Sequence, residues 1–240
     1  MENIKTENKL KKWALPIILC FTFTLMLVCG IVTHQKFIKL LPSLISLVVI
    51  YLVSKANRFN FILGACNAVI YCIGYFMEGL YASIVSSVVI SMPIQIASFI
   101  TWKKNSKNAS DAQATQMKSF SKMVLLGIAL GLFAAAVGLY FIFSGLQGAK
   151  MQGLDVALLV VGTTASVFMM LRYYEAIYFY LANAVINFAM WLIIVIGNIA
   201  NINYLISAVY TVISSIIACY NWRKIYILQE KAKKESINDN

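Results

Sequence analysis

Asn183, Asn187 and Trp191 stand four residues apart inside an otherwise apolar run. On a helix that spacing puts all three on one face. Two amides and an indole on a shared face suit a neutral polar or cationic aromatic ligand, the ring stacking on the indole while the amides read hydroxyls or a carboxamide. Asn67, Gln95, Tyr71, Phe179 and Tyr210 join them as candidate binding residues, as do Tyr75 and Tyr180. Amides in apolar surroundings are costly unless satisfied, and these aromatics lie deep in the apolar runs beside them. The alternative role for each amide is a hydrogen bond between packed helices. The chain has no Walker loop and no His/Cys/carboxylate cluster, so no enzyme, no metal and no cofactor is expected. The only histidine, His34, falls in a loop, and Cys20, Cys29, Cys66, Cys72 and Cys219 read as buried free thiols in apolar segments.

The elements that carry these residues are membrane spans. From Ala176 to Trp222 there are 47 residues without one Asp, Glu, Lys or Arg. A hydrocarbon core about 30 Å thick is crossed by roughly 20 apolar residues, so this stretch crosses twice. Of all residues, 61% are hydrophobic and 12% charged, against about a quarter charged in soluble domains. Charges and turn residues mark eight spans: Trp13 to Thr33, Leu40 to Ser54, Phe59 to Phe76, Gly79 to Trp102, Met123 to Gly145, Val156 to Leu171, Ala176 to Val195 and Asn201 to Trp222. The first apolar stretch is too long for a signal-peptide core and lacks a small-x-small cleavage site, so it counts as a helix.

With the N-terminus inside, seventeen of the 20 Lys and Arg fall in inner segments and only Lys36, Lys39 and Lys150 in outer ones. That asymmetry predicts both termini in the cytoplasm. It also accounts for the net charge of +11 without nucleic acid. The sequon Asn108-Ala109-Ser110 then lies inside, where no glycan is expected. Trp13, Trp102, Tyr140 and Trp222 sit near span ends and read as interfacial anchors.

An internal duplication organises the spans. Asn67-Ala-Val-Ile-Tyr71 matches Asn183-Ala-Val-Ile-Asn187, and Ile100-Thr-Trp102-Lys-Lys104 matches Tyr220-Asn-Trp222-Arg-Lys224, at offsets of 116 and 120 residues. The chain divides into an extra N-terminal helix (1–36), a triple-helix unit (37–104), a loop and linker helix (105–150), a second triple-helix unit (151–224) and a tail (225–240). Three crossings plus one linker make the two units parallel, related by a pseudo-twofold axis along the membrane normal with a ligand between them near mid-depth. Pro42 and Pro93 interrupt the second and fourth spans as hinges or packing kinks. Gly131, Gly138 and Gly145 suit close packing of the linker helix. No carboxylate lies inside a span, since Glu78, Asp155 and Glu175 are at ends, so no ion-coupling site is evident.

From Leu40 to Lys224 the chain resembles the PnuC family of vitamin-precursor transporters. The resemblance rests on Asn67 with Tyr71, Gly79-Leu-Tyr81, Gln95 leading to Trp102, Leu171-Arg-Tyr-Tyr-Glu175, Asn183, Trp191 and Asn221-Trp222-Arg-Lys224. It implies an all-α integral membrane protein of eight transmembrane helices, an extra N-terminal helix followed by 3+1+3 parallel repeats related to the SWEET fold. It further implies a uniporter importing nicotinamide riboside across the bacterial inner membrane by alternating access, with phosphorylation in the cytosol trapping the product. The small-molecule substrate and the lipid bilayer are its expected partners, and self-association stays open. Glu175-Ala176-Ile177 and Phe179 stand where the family often carries indoles, which keeps thiamine and riboflavin as alternatives. A non-transporting scaffold or receptor is the alternative from another class.

Overall fold

Backbone polar groups in a bilayer must be satisfied within their own segment, and the charge-free blocks do so as helices. The computed structural model describes residues 2–33, 37–77, 86–105, 116–144, 152–197, 199 and 202–238. Among them are eight α-helices: α1 (Glu2–Val32), α2 (Phe37–Ser54), α3 (Phe59–Met77), α4 (Met92–Lys104), α5 (Lys122–Ser144), α6 (Gln152–Met170), α7 (Ala176–Gly197) and α8 (Ile202–Asn238). Apolar windows long enough to cross a bilayer run over Leu15–Val32, Met123–Phe141, Ala176–Gly197 and Ile202–Ala232, and shorter apolar helices cover Leu40–Ser54, Phe59–Ile73 and Val156–Met170. Hydroxyls in these helices bond back to carbonyls one turn earlier, as Thr22 does to Ile18, Ser98 to Ile94 and Thr164 to Val160.

The fourth expected span differs from the sequence reading. Its first residues, 79–85, lie outside the described residues, Ser86–Ser91 is a π-helical turn, and α4 starts only at Met92. Pro93 sits in the first turn of α4 directly behind the π-turn, and the backbone stays helical across Ser91 (φ −67°, ψ −48°), so the proline falls where a wide turn joins an α-helix. Pro42 does lie inside α2, and Pro16 inside α1. At Gly131 and Gly138 an added Cβ would meet nothing within 4 Å, so neither linker-helix glycine packs a neighbour closely, contrary to expectation; Gly145 lies outside the described residues. Cys20 and Cys66 are free thiols but exposed on the helix surface, not buried. Surface apolar side chains such as Met123, Phe133 and Phe141 suit a hydrocarbon surrounding.

Packing joins the two halves through exchanged neighbours. α2 packs on α3 and on α8, α6 on α7 and α4, α7 on α8, α3 on α4, α1 on α2 and α8, and α5 on α6. At one end of the bundle Val53, Phe61, Trp102, Met169, Ile177, Ala218 and Trp222 form a buried cluster. Here Trp102 donates its indole N–H to the Met169 carbonyl at 2.7 Å, and Trp222 donates to the Val53 carbonyl at 2.8 Å. The two rings lie 5.6 Å apart and each is 1% exposed. Neither is the interfacial anchor expected from its place near a span end. Val53 and Met169 belong to the last turns of α2 and α6, where each carbonyl accepts the N–H three residues on, from Ala56 and Arg172, and takes the indole as a second donor. Both helices then leave through left-handed residues, Ala56 at φ 50° and Arg172 at φ 69°. A second cluster of Met26, Leu40, Leu44, Leu47, Ile50 and Tyr210 ties α1 to α2 and α8.

Candidate functional site

The polar cavity lies within the first half, where α2 and α3 cross and the π-turn enters α4. It is a partly open pocket of about 260 Å³ lined by Val49, Gly64, Asn67, Ala68, Tyr71, Ser91 and Gln95. Three expected residues, Asn67, Tyr71 and Gln95, therefore meet in one place.

Asn67 spends its amide N–H groups on α2. Its Nδ2 donates to the Pro42 carbonyl at 3.1 Å and to Ser46 Oγ at 2.9 Å. Ser46 in turn donates to the Pro42 carbonyl at 2.9 Å, and its Oγ lies 3.3 Å from the Tyr71 hydroxyl. Asn67 is 5% exposed, and its Oδ1 has no partner among the described residues. Across the cavity Gln95 donates from Nε2 to Ser91 Oγ at 3.0 Å. The Gln95 side-chain oxygen fills the place a Cβ would take at Gly64, so only glycine there lets the amide lie against α3. Ser46, Ser91 and Gly64 escaped the sequence reading. A usable signal existed in the four-residue spacing of Ser46 from Pro42 and of Ser91 from Gln95, which places each pair on one helix face.

The other expected residues do not line this cavity. Asn183 donates to the Leu158 carbonyl of α6 at 3.0 Å, over the same 25-residue separation as Asn67 to Pro42, and an added Cβ on Gly162 would come 2.7 Å from its Nδ2. Trp191 stacks on Tyr204 of α8 at 4.3 Å and 14°. Asn187 is half-buried on the same helix. Phe179 packs edge-on against Phe168 at 5.3 Å, Tyr180 borders the tryptophan cluster, and Tyr210 is buried beneath α1 and α2. The Tyr75 side chain lies outside the described residues.

The Leu171–Glu175 segment does something sequence reasoning missed: it receives the chain that precedes α5. Lys118 N–H donates to the Arg172 carbonyl at 2.8 Å and Tyr174 N–H to the Lys118 carbonyl at 3.0 Å. Ser119 Oγ and Phe120 N–H donate to Glu175 Oε1 at 2.7 and 2.9 Å, and the Phe120 ring stacks on Tyr173 at 3.6 Å. Glu175 is thus a buried acceptor, 4% exposed, and not a solvated span-end charge. Burial lowers the Arg172 guanidinium from its ordinary value. Burial first, and the Glu175 charge second, raise the Tyr174 phenol. The long α8 reaches this strap too, Gln229 accepting from Met117 N–H at 2.9 Å and Tyr226 stacking on Tyr174 at 4.4 Å.

The family described as nicotinamide mononucleotide transporter matches residues 36–224, from the start of α2 through the Trp222 cluster. The chain belongs to this family. Its members are transporters and not enzymes, and the protein is an integral membrane protein. It is 22% identical over 177 residues to the nicotinamide riboside transporter PnuC of Neisseria mucosa, an alignment covering 72% of this chain and 66% of that one, just under two thirds of the relative's length. The fold matches the crystal structure of the vitamin B3 transporter PnuC with a TM-score of 0.75 at 17% identity, over 90% of this chain and 92% of that one.

Proposed function

We propose that the protein is a facilitated-diffusion uniporter that carries nicotinamide riboside across the bacterial inner membrane by alternating access, with phosphorylation in the cytosol trapping the product. The observation that carries this reading is the pocket where Asn67, Tyr71 and Gln95 meet in a chain of this family. Asn183, Asn187 and Trp191 of α7 do not line that pocket as it stands, and in this reading they meet the ligand as the two units move. Eight spans cross the membrane as one extra helix and two parallel units of three joined by α5, both termini in the cytoplasm. Support for the duplication comes from equivalent positions. Pro42, Val53, Ala56 and Asn67 have Leu158, Met169, Arg172 and Asn183 as counterparts 116 residues on, with matching hydrogen bonds or φ values. Such units can rock against each other around a fixed site.

Thermal stabilisation of the purified protein by nicotinamide riboside, thiamine, riboflavin and plain nucleosides tests the substrate. Nicotinamide riboside alone raises the melting temperature on this reading, since a ligand bound only to the native state stabilises it by mass action. A shift with thiamine alone moves the substrate to another vitamin, and no shift with any of them favours a scaffold.

A further inference from the structure

We propose that the cavity beside Asn67 demands a hydrogen-bond donor from its ligand, a primary amide or a hydroxyl, and rejects a carboxylate at that point. The inference rests on the transport reading and adds the polarity of its site. A backbone carbonyl can only accept, so the Asn67 atom 3.1 Å from the Pro42 oxygen is the nitrogen, and the amide cannot be turned over. Its two protons go to Pro42 and Ser46. The Ser46 hydroxyl also donates to Pro42 and lies 3.3 Å from the hydroxyl of Tyr71. Both amide protons of Asn67 are therefore turned toward α2. What remains is an acceptor, Asn67 Oδ1, on a side chain 5% exposed that lines the cavity and has no partner for that atom among the described residues.

A buried acceptor left unmatched is costly, and a site built around one discriminates strongly against ligands that cannot donate. A carboxylate is worse than a mismatch, because it sets negative charge against the carbonyl lone pairs.

Nicotinamide riboside and nicotinic acid riboside differ only in a carboxamide and a carboxylate, and titration calorimetry with both on the detergent-solubilised protein reads the preference. The amide is expected to bind at least about tenfold more tightly. Asn67→Leu should bring the two affinities within about threefold. If that variant does not fold, Ser46→Ala serves. It releases one Asn67 proton, so affinity for the acid should rise and the ratio narrow. Equal binding of both ligands by the parent, or tighter binding of the acid, overturns the proposed polarity while leaving the transport reading intact. A preference that survives unchanged in every variant that folds comes from net charge elsewhere and overturns it too. Binding of neither ligand removes the transport reading and this inference with it.

Discussion

Replacing Trp102 and Trp222 by Phe, singly and together, probes how the two halves are fastened. Each indole gives one hydrogen bond to a helix-end carbonyl of the other half, Met169 at 2.7 Å and Val53 at 2.8 Å, from a side chain 1% exposed. Both carbonyls keep a second donor, the Arg172 and Ala56 N–H respectively, so neither is stripped bare. The lost bond costs about 0.5–1.5 kcal/mol and the smaller ring leaves a void worth roughly 1–2 kcal/mol, giving about 1.5–3.5 kcal/mol per site. Because the rings lie 5.6 Å apart, the double variant should depart from additivity by at least ~0.5 kcal/mol. Trp191→Phe is the control: it keeps a ring against Tyr204 and should cost less than about 1 kcal/mol. Thermal unfolding in one detergent, followed by size-exclusion of the surviving monodisperse fraction, ranks the four variants. Equal, large losses at Trp102 and Trp222 are expected. A large loss at one with none at the other would show that the two contacts are not equivalent, and losses no greater than in the control refute the fastening role altogether.

Four further outcomes follow from the same geometry. Gly64→Ala should drive the Gln95 amide off α3 into the cavity, weakening nicotinamide riboside at least about tenfold in calorimetry, and the effect should vanish in a Gln95→Ala background because the displaced group is then gone. Trp191→Ala should weaken the same ligand several-fold, equivalent to about 0.5–2 kcal/mol of ring contact, in a direct titration. Glu175→Ala removes the acceptor of Ser119 and Phe120 and should increase hydrogen exchange over residues 116–121, while α2 and α3 exchange as before. The Tyr174 phenol, raised by burial, holds its proton longer in the folded protein than in the unfolded chain. Its contribution is thus complete below about pH 10 and is lost as pH rises through the folded value, so melting temperature should begin to fall only above that point.

The apolar helices were legible because charge-free runs in a chain this apolar have only one satisfactory environment, and Asn67, Tyr71 and Gln95 stood out as polar groups that such an environment penalises. What they hydrogen-bond was not legible. Ser46 and Gly64 carry no unusual chemistry, and their roles exist only once α2, α3 and α4 are packed. Trp102 and Trp222 misled for a related reason: closeness to a span end suits both an interfacial ring and a ring turned inward onto a helix-end carbonyl, and only the helix crossing decides. The π-turn before Pro93 has no period that sequence patterning reads, because one wide turn leaves the surrounding apolar composition unchanged. The 116-residue offset, by contrast, recurs in hydrogen bonds and in φ values at positions that share no residue type, such as Ala56 and Arg172.

Uptake of labelled nicotinamide riboside into proteoliposomes holding the parent protein, Asn67→Leu or Gln95→Ala, each matched for amount and melting temperature, tests most directly that the cavity is the transport site. The parent should equilibrate the label across the membrane with or without ionophores, and both variants should lose most of that flux while staying folded. Undiminished uptake by both variants would contradict the assignment of the site, and parent uptake that collapses with a proton or sodium gradient would contradict the uniport mechanism.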